Sequence, residues 1–377
     1  MIPLNKPGYQ CSRGDNDFIG NHFPGCHSLI LATAGDGLNL IYRSLHKERG
    51  GLRIGVSPFA CFQAIYPIVI NGHTPVFIDI DKNTLNMDAD KLVSRNDLDA
   101  VELIHLGGNP NEMDKICQWA QKNDKILIED CAQALGSSFR GKELGNFGDY
   151  AVFSLIKNLH ATTGGLIISK NALPTERLPK ISGLLVKYRN LKKYLESHSN
   201  HHTYNPWNLA YLMLLKMKEK GAQTASASTH SVENVLEEEL RKSMNTIEEL
   251  NKKRAANASY MMSRVDASKC KIQTVPDGGQ SNRNRLLFRI EKPLAEQVIA
   301  QLRKAGIAGN NLTQNYLHGF QPHVSKDSLL HYYYKKEELE CYDSIFNHVI
   351  AIPCSPFLTQ EEMDYIVNKL NQITLHS

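Results

Sequence analysis

The chain has 377 residues, of which 42% are hydrophobic and 22% are charged, and its formal net charge at pH 7 is +4. This composition is that of an ordinary globular protein, and the length predicts two domains rather than one compact core. The small net charge, without a concentrated basic stretch, argues against a nucleic-acid-binding protein.

Neither a membrane protein nor a secreted protein is indicated. The most apolar late stretch, residues 209–215, is too short to span a bilayer, and residues 1–7 lack the apolar centre of a signal peptide. The eight cysteines are scattered, with no C-x-x-C pair. Because a chain of this length can form its core without disulfides, we expect reduced thiols and a cytoplasmic location.

Short apolar runs alternate with helical patterns in the first half of the chain. Apolar residues recur at helical spacing over residues 38–45 and 113–120. Buried strands are predicted at residues 53–56, 75–79, 101–105, 125–130, 150–154 and 166–169. This alternation predicts an α/β fold, with a doubly wound, mostly parallel sheet and helices on both of its faces.

The second half is organised differently. Residues 171–228 have the composition of a variable insertion, and a long helical pattern over residues 232–265, with room for a break, links two domains. The remainder is α+β, and its strands and helices are predicted at residues 286–290, 294–305, 349–352 and 360–373. We therefore expect a large domain over residues 1–245 and a smaller α+β domain over residues 246–377.

Polar residues end the strand predicted at residues 125–130, where open α/β sheets bind their ligands. The segment reads Glu129-Asp130-Cys131-Ala132-Gln133. A carboxylate there could pair with a protonated heterocyclic nitrogen, as an enzyme that uses pyridoxal 5'-phosphate (PLP) requires. It could equally cap a helix or form a structural ion pair, and the residues alone leave both interpretations open.

A lysine follows the strand predicted at residues 150–154. Lys157 stands three residues after Ser154, and Gly164 and Gly165 come later in the same segment. A partly desolvated lysine amine could form a Schiff base with an aldehyde cofactor, and the serine could donate to a phosphate. Composition alone favours an ordinary surface lysine.

A third segment, Thr33-Ala34-Gly35-Asp36-Gly37, opens the first predicted helix. Free backbone amides and the helix dipole favour a phosphate group at such a position. Because this kind of turn is common, the segment alone is a weak indication.

Taken in order, these segments resemble the DegT/StrS-type sugar aminotransferases, a family of fold-type I PLP enzymes. The longest similarity is EDCAQALGSSFRGKELGNFGDYAVFSLIKNLHATTGG, which follows the family's ED-x-AQA-x-G…G-x-x-x-G-x-x-GD…FS…K…GG pattern. Other family elements are similar to AGDGLNLIYRSL, NGHTPVFIDIDKNTLNMD, LRKAGI and VIAIPCSPFLTQEEMDYI. The likeness therefore covers most of the chain.

The resemblance implies roles for three residues around the cofactor ring. Lys157 would bind the cofactor through a Schiff base and move a proton between substrate and cofactor. Asp130 would pair with the pyridine nitrogen and keep it protonated, and Gln133 would lie beside the ring, near its phenolic oxygen. The implied fold has a mostly parallel seven-stranded sheet covered by helices, followed by the smaller α+β domain.

The implied phosphate site consists of the amides of Gly35 and Asp36 and the hydroxyl of Ser154. Two positions depart from the family's usual residues. Cys61 stands where many members have an aromatic that stacks on the cofactor, and we interpret it as lining the ring or as an ordinary buried cysteine. Thr163 replaces an acidic residue before the glycine pair, and the loop that completes the neighbouring subunit's site has no clear match.

By this resemblance the protein is a homodimer that moves an amino group from glutamate to a keto group of a nucleotide-linked sugar. Two alternatives stay open: another PLP reaction, such as a dehydration or lyase step, and a PLP-fold protein that binds or regulates without catalysis. Lys157 argues against the dehydrating members, which carry histidine there. Asp130, Lys157 and Ser154 together argue against a silent protein.

No metal site is expected from the sequence. His198, His201 and His202 are close together, but no carboxylate or cysteine stands at a ligand spacing, which favours a polar loop. His160 could face the site if its segment is helical, but we favour a role in capping or solvating its loop. The tyrosines at 332–334 could line a cleft or an interface.

Overall fold

The structure is a computed structural model that describes residues 17–159, 161, 163–174, 180–181, 231–232, 234–291, 294–311 and 336–375. His160, the histidines at 198–202, the tyrosines at 332–334 and most of the predicted insertion lie outside these residues. No helix in the described ranges is long and apolar enough to cross a membrane.

The main sheet has nine strands: β1 His27–Leu31, β2 Arg53–Val56, β3 Thr74–Phe77, β4 Ala100–Ile104, β5 Ile126–Asp130, β8 Tyr150–Ser154, β9 Gly165–Ser169, β10 Lys180–Ile181 and β11 Ser231–Val232. Their order is β10-β11-β1-β9-β8-β5-β4-β2-β3. Strands β8, β5, β4, β2 and β3 run parallel, whereas β9 is antiparallel to both of its neighbours. The mostly parallel seven-stranded sheet is confirmed, and two strands of two residues each extend it.

Helices cover both faces of this sheet: α1 Phe18–His22, α2 Ala34–Arg49, α3 Phe62–Ile70, α4 Ala89–Val93, α5 Met113–Lys122, α6 Leu155–Asn158 and α7 Asn234–Met244. On one face, α2 and α3 pack against alternate strand residues such as Ile104 and Ile128. On the other face, α4, α5 and α7 pack against the intervening residues, such as Leu103 and Leu127. The two-residue period of the strands therefore creates two separate apolar layers.

A second, antiparallel sheet follows later in the chain. Its strands are β12 Cys270–Ile272, β14 Leu286–Ile290, β15 Asn310–Asn311 and β16 Val349–Ile352, in the order β12-β14-β16-β15. A separate apolar cluster joins it to α8 Ile247–Met262, α9 Ala295–Lys304 and α11 Gln360–Leu375, while α10 Glu340–Ile345 packs on the main-sheet cluster. Helices α7 and α8 are the long helical pattern, and the break falls at Asn245 and Thr246.

Short segments complete the description. A three-stranded sheet combines β6 Ser138–Phe139, β7 Lys142–Glu143 and β13 Gly279–Gln280, in the order β13-β6-β7. Single 3-10 turns lie at Leu106–Gly108, Lys336–Glu338 and Phe346–His348. The seven cysteines within the described part of the chain are all free thiols.

Candidate active site

The carboxyl ends of β5 and β8 place a carboxylate and an amine at one edge of the main sheet. Asp130 is the last residue of β5, and Lys157 lies in α6, the single turn that follows β8. These strands are parallel neighbours, so their ends meet at the same edge. The backbone amide of Ala132 donates a hydrogen bond to Oδ1 of Asp130 at 2.9 Å.

The Asp130 carboxylate is buried, and the charge of the nearby Lys157 amine acts on it without a direct ion pair. Burial raises the pKa of Asp130, while the Lys157 ammonium, the Ala132 amide and His105 act in the opposite direction. Within the residues that the structure describes, Oδ2 of Asp130 accepts no hydrogen bond and Lys157 forms no ion pair. A buried carboxylate and an amine that attract each other without touching fit PLP, whose ring nitrogen and aldehyde carbon need these two groups.

The side chain of Asn158 joins the two segments that carry this pair. Its amide nitrogen donates to the backbone oxygens of Ala132, at 3.0 Å, and Ser154, at 2.8 Å. Its oxygen accepts from the amide of Leu135 at 3.3 Å. Asn158 is fully buried, so these bonds fix the segment after Asp130 relative to the helix of Lys157.

Residues from much later in the chain bind the same short helix. Asn284 donates its side-chain amide to the backbone oxygen of Lys157 at 3.1 Å, and both Asn282 and Asn284 donate to the Asn158 side-chain oxygen. Arg254 donates to the backbone oxygen of Asn158 at 3.0 Å. Burial lowers the pKa of Arg254 to about 10. The carbonyl end of α6 is therefore capped by α8 and by the segment before β14.

The start of α2 is closed by its own cap. The amide of Asp36 donates to the Thr33 hydroxyl oxygen at 3.1 Å, and that hydroxyl donates to the Asp36 carboxylate at 2.6 Å. In the described ranges, the amide of Gly35 has no such partner. Ser154 caps α6, where its oxygen accepts from the Lys157 amide at 3.4 Å. Of the three predicted phosphate ligands, Asp36 is the one whose amide is already engaged.

Residues 163–165 bring α2 and α6 together. The Thr163 hydroxyl and the Gly164 amide both donate to the backbone oxygen of Ala32, at 2.7 and 2.8 Å. The backbone oxygen of Gly164 in turn accepts from the amide of Leu155 at 3.0 Å. Gly164 has a φ of +121°, and a Cβ at Gly165 would lie 2.3 Å from a backbone carbon, so both positions require glycine. Thr163 and Gly164 thus bind the segment before α2, and Gly164 connects it to the lysine helix.

Two further predicted site residues, Cys61 and Gln133, have different surroundings. Cys61 precedes α3; burial raises the pKa of its thiol, the Lys157 charge lowers it, and the Asp130 charge raises it. Gln133 accepts a hydrogen bond from the amide of Gly107 at 3.1 Å, through its side-chain oxygen. Its amino group is the part left for a ligand.

Behind Asp130 lies a buried cluster that the sequence did not reveal. Ligand atoms of His105, Glu129 and Cys131 lie within 4.8 Å of one another. Glu129 accepts three backbone amides from the loop at residues 145–148, and the Asn111 amide donates to Nδ1 of His105. The remaining ring proton is therefore on Nε2, 3.4 Å from Glu129. Three backbone amides hold the Glu129 carboxylate and the Asn111 amide holds the His105 ring, so we assign the cluster to the scaffold.

Comparison with known proteins identifies the fold and its chemistry. The model of the DegT/DnrJ/EryC1/StrS aminotransferase family matches residues 17–371. The chain belongs to this family. Its aminotransferases depend on PLP, and the Asp130 and Lys157 geometry fits that cofactor.

Individual relatives agree with this assignment. The chain is 26% identical over 349 residues to a dTDP-3-amino-3,6-dideoxy-alpha-D-galactopyranose transaminase of Aneurinibacillus thermoaerophilus, which covers 91% of this chain and 84% of the relative. The PLP form of a putative sugar aminotransferase of Streptococcus pneumoniae has the same fold, with a TM-score of 0.69, 19% identity and coverage of 98% and 94%.

One relative carries out a different reaction. A GDP-4-keto-6-deoxy-D-mannose 3-dehydratase of Yersinia pseudotuberculosis is 29% identical over 179 residues, which are 45% of this chain and 44% of the relative.

The predicted family, fold class, aminotransferase activity and cofactor are confirmed. The roles of single residues stay predictions.

Proposed function

We propose that this aminotransferase moves an amino group from glutamate to a keto group of a nucleotide-linked sugar. The observation that carries the proposal is the placement of Asp130 and Lys157 at adjacent strand ends, in electrostatic reach but without an ion pair. The names of relatives support a sugar substrate, because they include dTDP-, GDP- and UDP-sugar transaminases or synthases.

Each site residue has a separate task in this proposal. Bound PLP supplies the electron sink that lets a proton leave the carbon next to nitrogen. Asp130 holds a proton on the ring nitrogen, which requires the carboxylate to stay ionised beside it. The Lys157 amine binds the cofactor and then accepts and returns the substrate proton. The amide of Gly35 and the Ser154 hydroxyl bind phosphate oxygens at the start of α2.

Three side chains adjust this arrangement. The Gln133 amino group would donate to the ring oxygen, while its own oxygen stays on the Gly107 amide. Cys61 would lie against the ring. The pKa of its thiol is lowered by the Lys157 charge and raised by the Asp130 charge, which supports this position. We assign Asp36 to capping, with an indirect effect on the phosphate, since its amide is bonded to Thr33.

A dehydration is the second candidate, because one relative is a sugar 3-dehydratase. Lys157 argues against it, because the family resemblance implies that the dehydrating members carry histidine at this position. A protein without catalysis is the third candidate, and the intact Asp130, Ser154 and Lys157 argue against it. Formation of a keto sugar without net amine transfer would favour the dehydratase, and PLP binding without turnover would favour the silent protein.

The assembly and location also belong to this proposal. We propose a homodimer in the cytoplasm, supported by the family resemblance and by the free thiols of the described cysteines. We further propose that residues 1–245 and 246–377 are separate domains, because the second sheet and its helices have their own apolar cluster.

The proposal is tested by the absorption spectrum of the purified protein with PLP, before and after glutamate. We expect a visible band that requires Lys157 and that disappears as glutamate converts the cofactor to its amine form. Lys157→Ala should remove the band and aminotransfer. The matched control is Lys170→Ala, because Lys170 forms an exposed ion pair with Asp149 and should be dispensable. Full aminotransfer by Lys157→Ala would disprove the mechanism.

A further inference from the structure

A second carboxyl group is buried beside Asp130, and the proposed mechanism does not use it. Glu102 lies on β4, where it pairs in register with Ile128, while Ile104 pairs with Asp130. Side chains two residues apart on a strand share a face, so Glu102 and Asp130 lie on the same face of neighbouring strands. The structure thus places two carboxyl groups in one apolar layer, beneath α2.

In the part of the chain that the structure describes, Glu102 has one hydrogen-bond partner. The Tyr42 hydroxyl, from α2, donates to Oε2 of Glu102, and both side chains are fully buried. Oε1 of Glu102 is also buried and has no hydrogen-bond partner within the described chain. An ionised carboxylate with one hydrogen bond and no cation beside it is strongly disfavoured in such surroundings.

The neighbouring groups divide the charge unequally between the two acids. Burial raises the pKa of Glu102 well above its usual range, Asp130 raises it further, and the Tyr42 hydrogen bond lowers it. Asp130 has Lys157, the Ala132 amide and His105 to favour its ionised form. When two acids share a buried space, one of them carries the charge, and here these contacts select Asp130.

The other titratable groups that the structure describes around the pair supply no cation to Glu102. Burial raises the pKa of the Tyr42 phenol, and so does Glu102. His73 contacts Tyr42 through the backbone oxygen, at 2.8 Å, and burial lowers the pKa of its imidazole. The strand on the opposite side, β2, presents Val56 in register with Glu102. Lys157 follows β8, which lies on the far side of β5 from β4, and the Cys61 thiol, whose pKa burial raises, supplies no positive charge.

We propose that Glu102 is a proton-bearing positioning residue, held by Tyr42, that confines the single negative charge of the buried pair to Asp130. The cofactor part of this inference rests on the proposed function, because it assumes that Asp130 binds the ring nitrogen of PLP. When Glu102 loses its proton at high pH, a second negative charge appears near the ring. That charge holds the ring-nitrogen proton to higher pH than Asp130 alone does.

The protonation of Glu102 is tested first without cofactor, by denaturant unfolding of the wild type and Glu102→Gln across pH. A carboxyl with a higher pKa in the folded than in the unfolded protein makes its full contribution to the free energy of unfolding below the unfolded pKa. That contribution is lost as the pH rises towards the folded pKa. Above about pH 5, the wild type should therefore lose stability relative to Glu102→Gln. The ratio of their unfolding constants should change by up to about tenfold per pH unit. Glu296→Gln, on the exposed start of α9, is the matched control. Parallel curves would overturn the inference.

The second measurement does not depend on the stability of the Gln variant. With carbon-13-labelled glutamate residues, the infrared spectrum of the wild-type protein at neutral pH should contain the C=O band of a protonated carboxyl. Tyr42→Phe should shift that band to higher frequency, because a hydrogen bond to the carbonyl oxygen is lost. Absence of the band would overturn the inference.

The third measurement addresses the cofactor. At pH 7 the PLP affinities of the wild type and Glu102→Gln should agree within about twofold, because glutamine imitates the protonated acid. At higher pH, the ring nitrogen of bound nitrogen-15-labelled PLP should lose its proton earlier in Glu102→Gln. A tenfold or larger change at pH 7, about one pKa unit of coupling, would overturn the proposed role. Failure of both proteins to bind PLP would refute the proposed function, while the unfolding curves still decide the protonation of Glu102.

Discussion

Glu129 and Asp130 are adjacent in the sequence, are both buried, and lie on opposite faces of the main sheet, yet their hydrogen bonding differs. Glu129 accepts three backbone amides and faces His105, so its oxygens are occupied by the scaffold. Asp130 accepts one, from Ala132, in the part of the chain that the structure describes. Between these two neighbours the number of backbone donors differs and burial does not, and this number separates the structural carboxylate from the one that is available to a ligand.

The largest effect that tests this comparison is expected from Asp130→Asn. The amide cannot hold a positive charge on the ring nitrogen, so we expect aminotransfer to fall by about 100-fold or more, as for other lost charge-stabilising groups. The free energy of unfolding should stay near the wild-type value, because few bonds are removed and an amide is less costly to bury than a charge. Steady-state kinetics and urea unfolding check the two expectations.

Glu129→Gln should have the reverse effect. Its amino group would face backbone amides that now donate to a carboxylate, so we expect a loss of about 2–4 kcal/mol in the free energy of unfolding. PLP affinity of the folded protein should change by less than about threefold. A stable Glu129→Gln protein that has lost PLP would show that the two acids have been assigned the wrong roles.

A smaller effect is expected from Thr163→Val, on the side of the sheet that carries the ligand site. The change removes the hydroxyl that donates to the Ala32 oxygen, and we expect a cost of about 1 kcal/mol. If residues 163–165 position the start of α2, PLP affinity should fall together with stability. Thr163→Ser keeps the hydroxyl and should restore both, as measured by thermal unfolding and PLP titration.

The sequence predicted the elements whose hydrophobic pattern is undisturbed. Strands at residues 53–56, 150–154, 286–290 and 349–352 have the predicted bounds, and the long helical pattern, for which a break was allowed, is divided at Asn245 and Thr246. Helix α3 was not predicted, because Pro67 stands inside it and its residues are apolar on every side. Strand β1, which pairs antiparallel with β9, was not predicted. Its first three residues are exposed or partly exposed, and apolar and polar residues hardly alternate along it.

The site could be predicted only where residue type and position agree. Asp130 and Ser154 end strands and Lys157 follows one, so all three could be singled out as candidates, whereas Asn158 and Asn284 act through hydrogen bonds between distant segments. Glu102 was included in a predicted strand, and an acid within an otherwise apolar run was the available signal. Its contact with Tyr42 depends on the packing of α2 on β4, which the sequence alone does not define.

The hydrogen bonds that Arg254 and Asn284 donate to α6 affect the order in which the site forms during protein synthesis. A helix of four residues is too short to be stable by itself, and its carbonyl end is bound by Arg254 and Asn284, which are 96 and 127 residues further along the chain than their acceptors. On the ribosome, the lysine turn therefore emerges well before its supports. The nascent chain acquires a cofactor-competent geometry only when α8 and the segment before β14 have left the exit tunnel.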